Sequence, residues 1–217
     1  MRSVGKIIHP WRVACRTGVQ RPSADAADLR RAAGSATVPG MTLDSDRDRL
    51  DGALRRLGVP FELFPCDPAL ADTAQFCEAY GFELEDSANT IVVVGKAEPR
   101  RYAACIVLAS HRLDVNRAVR DRLGTRKASF AAGDETRALT GMEIGGVTPF
   151  GLPADLPIWV DAAVMARPRI VLGGGSRSWK VIAAPDILLA MPHVEVVEGL
   201  ASPAAPAAPA GPTGPAG

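Results

Sequence analysis

The sequence predicts an α/β (α+β) protein with a mixed central sheet flanked by helices. Three observations support this reading. Apolar residues recur at helical spacing in several segments, β-rich runs stand between those segments, and two of these runs adjoin closely enough to form a hairpin. No internal repeat is present.

The first element is a helix. Leu43, Leu50, Ala53, Leu54 and Leu57 form its stripe, with Ser45 as a plausible N-cap and Gly58 at the stop. Phe61 to Phe64 reads as a short strand, and residues 69–80 as a second helix ending at Gly81. Thr90 to Val94 and Tyr102 to Leu108 are β-rich and joined by GKAEPRR, most simply as a hairpin. Asp114 caps a helix to Leu123, closed by Gly124, and a short helix follows Asp134. Residues 158–160, 170–172, 181–182 and 194–197 are candidate strands.

Both ends differ from this regular core. Residues 1–40 hold seven basic side chains against two acidic ones, so the rest of the chain carries −4 of the total +1. The segment has no sustained periodicity and is rich in Ala, Gly, Ser and Arg, so it is expected to be a disordered leader. It reads either as a basic nucleic-acid arm or as a plain extension. Met41 offers an alternative translation start. The folded domain is expected over 41–201, and 202–217, ending PAAPAAPAGPTGPAG, as an extended Pro/Ala/Gly tail.

With 47% hydrophobic and 23% charged residues, the composition is that of a soluble globular protein. No apolar run approaches the roughly 18 residues of a membrane span, and no secretory signal is apparent. Cys15, Cys66, Cys77 and Cys105 are scattered without metal-ligand spacing, which predicts reduced, mostly buried thiols in a cytoplasmic protein with no metal or cofactor. A Cys–His catalytic pair with His9, His111 or His193 has no support in their sequence contexts.

The most informative segment is GMEIGGVTPFG, Gly141 to Gly151. Gly141, Gly145, Gly146, Pro149 and Gly151 are spaced among apolar residues. Glycine allows close backbone approach and proline restricts φ, so the loop is specified rather than floppy. Its N–H groups could converge on a ligand oxygen, or it could be a tight structural turn. It is neither a Walker A loop nor GxGxxG.

Together with SANTIVVV (Ser87 to Val94), LDVNRAV (Leu113 to Val119) and GGGSR (Gly173 to Arg177), this loop resembles the YbaK-type aminoacyl-tRNA deacylases. These are relatives of the editing domain inserted in bacterial prolyl-tRNA synthetases. The likeness spans about Leu43 to Leu200, with the four motifs in order. It implies hydrolysis of a mischarged aminoacyl-tRNA ester at the tRNA 3′ end, with a small amino acid removed. It also implies that the two glycine loops are neighbours forming a pocket lined by backbone donors. Such chemistry needs no side-chain triad.

On this resemblance the catalytic candidates are Gly145, Gly146 and Gly174, for the carbonyl and water, and Asn89. Thr90, Gly141, Pro149, Phe150, Gly151, Asp161, Gly175 and Arg177 are the substrate-binding candidates. Arg177 suits a phosphate or carboxylate bidentately, or forms a structural ion pair. Asp161 orients a water or ribose hydroxyl, or caps the following turn.

Asn89 is a departure. Members of the family usually carry a lysine before the Thr of this strand, where it holds the tRNA 3′ end. An amide donates hydrogen bonds but no charge. A lost charge-assisted contact costs about 1.5–3 kcal/mol, roughly ten- to a hundredfold in rate. Lys96 and Lys180 are candidates to substitute in space.

A core at −4 is unlike a broad nucleic-acid surface, so neither DNA nor a membrane is an expected partner. The expected partner is an aminoacyl-tRNA 3′ end, with an aminoacyl-tRNA synthetase as a second candidate. Basic clusters at Arg100–Arg101 and along Arg117, Arg120, Arg122, Arg126 and Lys127 grip an acceptor stem or form a solvated face. Trp159 and Trp179 belong to the core or stack on a base. The rival function is a non-catalytic tRNA-, nucleotide- or protein-binding module of the same fold. A small-molecule ester or thioester hydrolase is a third reading without a sequence feature of its own.

Overall fold

The structure, a computed structural model, describes residues 43–204. The expected leader, and the tail beyond residue 204, lie outside the described residues. The first helix, α1 (Leu43–Arg56), buries Leu50 and Leu54. It starts two residues before Ser45, which therefore stands inside the first turn rather than at the cap. Gly58 follows with φ 68°, the left-handed backbone that favours glycine.

The expected strand β1 (Phe61–Pro65) is present. The helix expected over 69–80 is broken into a 3₁₀ turn, Pro68–Leu70, and α2, Thr73–Tyr80. Local chemistry explains the break. Asp67 Oδ1 accepts from Ala69 N at 2.9 Å to cap the turn, while Asp72 is extended (φ −66°, ψ 136°) and restarts the chain as a helix. Gly81 ends α2 in the left-handed region, φ 71°.

β2 (Ala88–Gly95) and β3 (Arg101–Leu108) form the expected antiparallel hairpin, with Thr90 opposite Ile106. Neither of the next two strands, β4 (His111–Leu113) and β5 (Ala128–Phe130), three residues each, had a sequence signal strong enough to be read. Asp114 caps the next helix through Arg117 N at 3.0 Å. Its first turn, Val115–Val119, is wound as a π-helix before α3 (Arg120–Leu123). The remaining elements are α4 (Gly133–Thr140), β6 (Ile158–Asp161), α5 (Ala162–Met165), β7 (Ile170–Gly173), β8 (Trp179–Ala183), β9 (Val194–Val197) and β10 (Ala201–Pro203). β10 pairs with β4, so the last ladder takes in Ser202 and Pro203, beyond the boundary expected at 201.

The central sheet has the order β5-β2-β3-β6-β9. β3, β6 and β9 run parallel and the other pairings are antiparallel, so the sheet is mixed. A second, antiparallel sheet has the order β1-β8-β7. Side-chain alternation along β3 divides the interior in two. Ala104, Ile106 and Leu108 face a core shared with α1, β7 and β8. Ala103, Cys105 and Val107 face Val115, Val119 and Leu123 of the π turn and α3. A third cluster packs Phe76 and Cys77 of α2 against Cys66 and Val171 beside the smaller sheet. The two sheets meet where Val171 N donates to Asp86 O at 2.8 Å and Ser87 bridges Val171.

Among the described residues no helix is long and apolar enough to cross a membrane, and no group of His, Cys, Asp or Glu is placed to hold a metal. Cys66, Cys77 and Cys105 are buried free thiols, and Cys15 lies outside the described residues. Burial raises the Cys66 thiol and pushes Cys105 up to about 12.

Candidate functional site

A cavity of about 390 Å³ opens between the two sheets. Its walls are Ser87 to Val92 of the β2 region, Phe130 at the end of β5 with Ala131 after it, and Thr136 of α4. Ile144, Gly145 and Val147 of the first glycine loop, Val171 to Gly173 of β7, Lys180 of β8, and Asp72, Thr73 and Phe76 at α2 complete it.

The cavity exists because β2 is incompletely partnered. β3 covers β2 along its whole length, whereas β5 is too short to pair beyond Val93–Gly95. At the other end the chain is tied by the bridge at Ser87. Val92 O accepts from Ala131 N at 2.9 Å, so the two-residue alternation of an antiparallel strand turns the N–H and C=O of Thr90 to the same open edge. The Thr90 hydroxyl is buried and lacks a partner among the described residues. Asn89 Oδ1 accepts from Thr73 Oγ1 at 2.8 Å, which orients the amide and leaves its NH₂ without a partner there.

The two glycine loops are neighbours, as the resemblance implied. Gly175 N donates to Gly146 O at 2.7 Å. Side chains are sterically excluded where they meet. A Cβ on Gly146 would lie 2.9 Å from Ser176 Cα and closer still to the Ser176 carbonyl. A Cβ on Gly174 would lie 2.5 Å from Trp179 O. Gly145 has φ 88° and lies against Arg177. The Gly146 N–H is itself committed to Glu143 O at 3.0 Å, and that of Gly175 to Gly146. These amides brace the loops, and the open polar groups at the cavity belong to Thr90, Asn89 and Lys180.

Arg177 does not line the cavity. Its Nε donates to Pro68 O at 2.9 Å and its Nη1 to Asp72 Oδ1 at 3.1 Å and Ile144 O at 3.2 Å, so it clips the 3₁₀ turn, α2 and the glycine loop together. Asp161 is buried away from the cavity. It caps α5 through Ala163 N at 3.0 Å and holds Ala201 N at 2.8 Å, which is the capping alternative. Gly141 ends α4 with φ 71°. Pro149, Phe150 and Gly151 line a different cavity of about 230 Å³, beside Ala53, Leu57 and Met191. Trp159 and Trp179 pack in the core, under Arg122 and Arg47 respectively. In the basic clusters, Arg100 pairs with Glu135, Arg120 with Asp121 and Arg122 with Glu195. His111 and His193 do not line the cavity, and Lys96 is exposed at the far end of β2.

Lys180 is the residue whose importance the sequence left open. It lines the cavity and is only 5% exposed. Its Nζ donates to Ala71 O at 2.7 Å and Gly145 O at 3.4 Å, and lies 5.1 Å from the Phe76 ring centroid. Burial pulls the ammonium below the ordinary lysine value, and the neighbouring Arg177 adds to this, while Cys66, Asp72 and Cys77 oppose it. The sequence signal was a lone charge within the β-rich run WKVIA. Thr73, Phe130, Ile144 and Thr136 gave no signal.

The model of the aminoacyl-tRNA editing domain family matches residues 67–190. A solved structure of a proposed trans-editing enzyme for prolyl tRNA synthetase is 26% identical, with a TM-score of 0.63, covering 72% of this chain and 98% of its own. The hypothetical protein APE2540 shares the fold at 21% identity and a TM-score of 0.63, covering 71% of this chain and 99% of its own. Residues 67–190 take in the open strand β2, both glycine loops and Lys180, and on that match this chain belongs to the aminoacyl-tRNA editing domain family.

Proposed function

We propose that this chain is an aminoacyl-tRNA deacylase of the YbaK type, removing a small amino acid from a mischarged tRNA in trans. The observation that carries the reading is the cavity at the open edge of β2, which the N–H and C=O of Thr90 face and where the Thr90 hydroxyl and the Asn89 NH₂ have no partner among the described residues. Its volume of about 390 Å³ is near the small end of the roughly 300–1,000 Å³ of ligand pockets, which suits a ribose bearing a small acyl group.

The chemistry is transfer of an acyl group to water. The oxygen of a water bonds to the ester carbonyl carbon, and the carbonyl π electrons move onto oxygen. When this species collapses, the bond to the ribose oxygen breaks, and that oxygen takes the proton the water gives up. Donors placed beforehand at the carbonyl oxygen stabilise the developing charge, each contributing about 2.7–4 kcal/mol in comparable sites. The partner is the aminoacylated 3′ end. The likeness to a protein described as acting for prolyl tRNA synthetase supports a synthetase as a second partner, and the work belongs to the cytoplasm.

The test is deacylation of a panel of mischarged tRNAs by purified protein, with Gly146→Val as the control. Hydrolysis of one or two species, abolished by the substitution, is the expected result. No turnover above buffer by folded wild-type protein would sink the reading. A second reading, a non-catalytic binding module, rests on Asn89 at the position of the family lysine. Asn89→Lys separates the two: a strong gain in hydrolysis marks a decayed enzyme, and a fall marks an asparagine adapted to its task.

A further inference from the structure

Lys180 stands where a lysine is costly. A buried ammonium needs either an ion pair or several oxygens around it. No carboxylate among the described residues pairs with it, and Asp72, the other charged residue of the cavity wall, is bonded to Arg177 instead. Two main-chain carbonyls, those of Ala71 and Gly145, accept from Nζ. An ammonium has three hydrogens, so one remains for the cavity that the group lines. The placement is also rigid. β8 is held on both sides, with Lys180 opposite Phe64 of β1 and Gly173 of β7, and the Phe76 ring lies beneath the ammonium.

We propose that Lys180 is the substrate-binding cation of this cavity, its free N–H directed to an oxygen of the aminoacyl ester. Asn89 lines the same cavity without a charge, so one wall supplies the amide and the opposite sheet supplies the charge. The ammonium keeps its proton throughout the reaction. It attracts the carbonyl oxygen as negative charge builds there, and neither gives up nor receives a proton. The inference rests on the deacylase reading for its substrate.

The experiment uses Lys180→Gln, which keeps a polar donor on a side chain one bond shorter and removes the charge, with Lys180→Met as the more severe companion. Each is also made in combination with Asn89→Lys, which brings an ammonium into the cavity from the other wall. Hydrolysis of mischarged tRNA is followed beside thermal unfolding. In Lys180→Gln, kcat/KM is expected to fall at least tenfold with folding retained, and Asn89→Lys is expected to restore a substantial part of it. A purely structural lysine predicts otherwise: activity falls only in proportion to the folded fraction and is not rescued from position 89. That result, or wild-type activity in folded Lys180→Gln, overturns the inference while leaving the deacylase reading intact. If wild-type protein hydrolyses nothing, the variants are titrated with 3′-alanylamino-3′-deoxyadenosine, whose amide resists hydrolysis. At least tenfold weaker binding by Lys180→Gln, restored by Asn89→Lys, sustains Lys180 as the binding cation although the deacylase reading has failed. Equal binding, or none by wild type, overturns it.

Discussion

Gly146→Ala tests the packing of the two glycine loops, and Gly141→Ala is its internal comparison. At Gly146 a single methyl would overlap the main-chain carbonyl of Ser176, and no flexible side chain can give way. Overpacking of this kind costs about 1–3 kcal/mol. At roughly 2–4 °C per kcal/mol for a chain of this size, Tm falls by about 2–12 °C. Relief requires the loops to separate, which stretches the bond from Gly175 N to Gly146 O and moves Gly145, a wall of the cavity. At Gly141 an added Cβ meets nothing within 4 Å, but φ is 71°, so the penalty is backbone strain of about 1–2 kcal/mol per left-handed residue. The two variants should therefore lose comparable stability by different routes. Thermal unfolding by circular dichroism gives the first quantity. Deacylation per folded molecule at 25 °C gives the second, and it should drop at least tenfold for Gly146→Ala and stay near wild type for Gly141→Ala. The reasoning is refuted if Gly146→Ala keeps wild-type turnover, or if both variants lose activity equally.

Three further outcomes are expected. Asp161→Ala removes two charge-assisted bonds from its buried carboxylate to main-chain N–H groups, each contributing about 1.5–3 kcal/mol, so denaturant midpoints should drop sharply while turnover per folded molecule stays unchanged. Thr90→Val replaces an unpartnered buried hydroxyl by a methyl of similar size. Stability should hold or rise by about 1 kcal/mol while deacylation falls, and a lower Tm would count against the orphan hydroxyl. Cys105, with its thiol pushed up to about 12, is about one part in ten thousand thiolate at pH 8, so iodoacetamide should label it only after unfolding, as read by mass spectrometry.

Much of the architecture was legible because its signals are local. Gly58, Gly81 and Gly124 mark helix ends through the backbone conformation they permit, and each has positive φ in the fold. Asp114 caps within three residues of itself, and the β2–β3 hairpin closes across a short connection. Where the reading failed, a nearby polar group or a short ladder decided the outcome. Asp72 interrupts the helix expected over 69–80, and β4 and β5 are three residues long. The glycine motifs announced a site, yet only part of the announced set gathers there. Asn89, Thr90 and Gly145 line the main cavity, whereas Pro149, Phe150 and Gly151 line another and Asp161 caps a helix.

By itself, then, the sequence determined the fold class, the glycine-marked helix ends and the hairpin, since each rests on residue spacing along the chain, and it pointed to the family through the likeness of its motifs. Tertiary structure alone decided what the cavity contains. Thr73 reaches Asn89 across 16 positions and Lys180 reaches Ala71 across 109. The charge of Lys180 carries meaning only because β8 buries it beside an open strand edge. Burial and the absence of a partner are properties of the packed chain, and no spacing in the sequence encodes them directly.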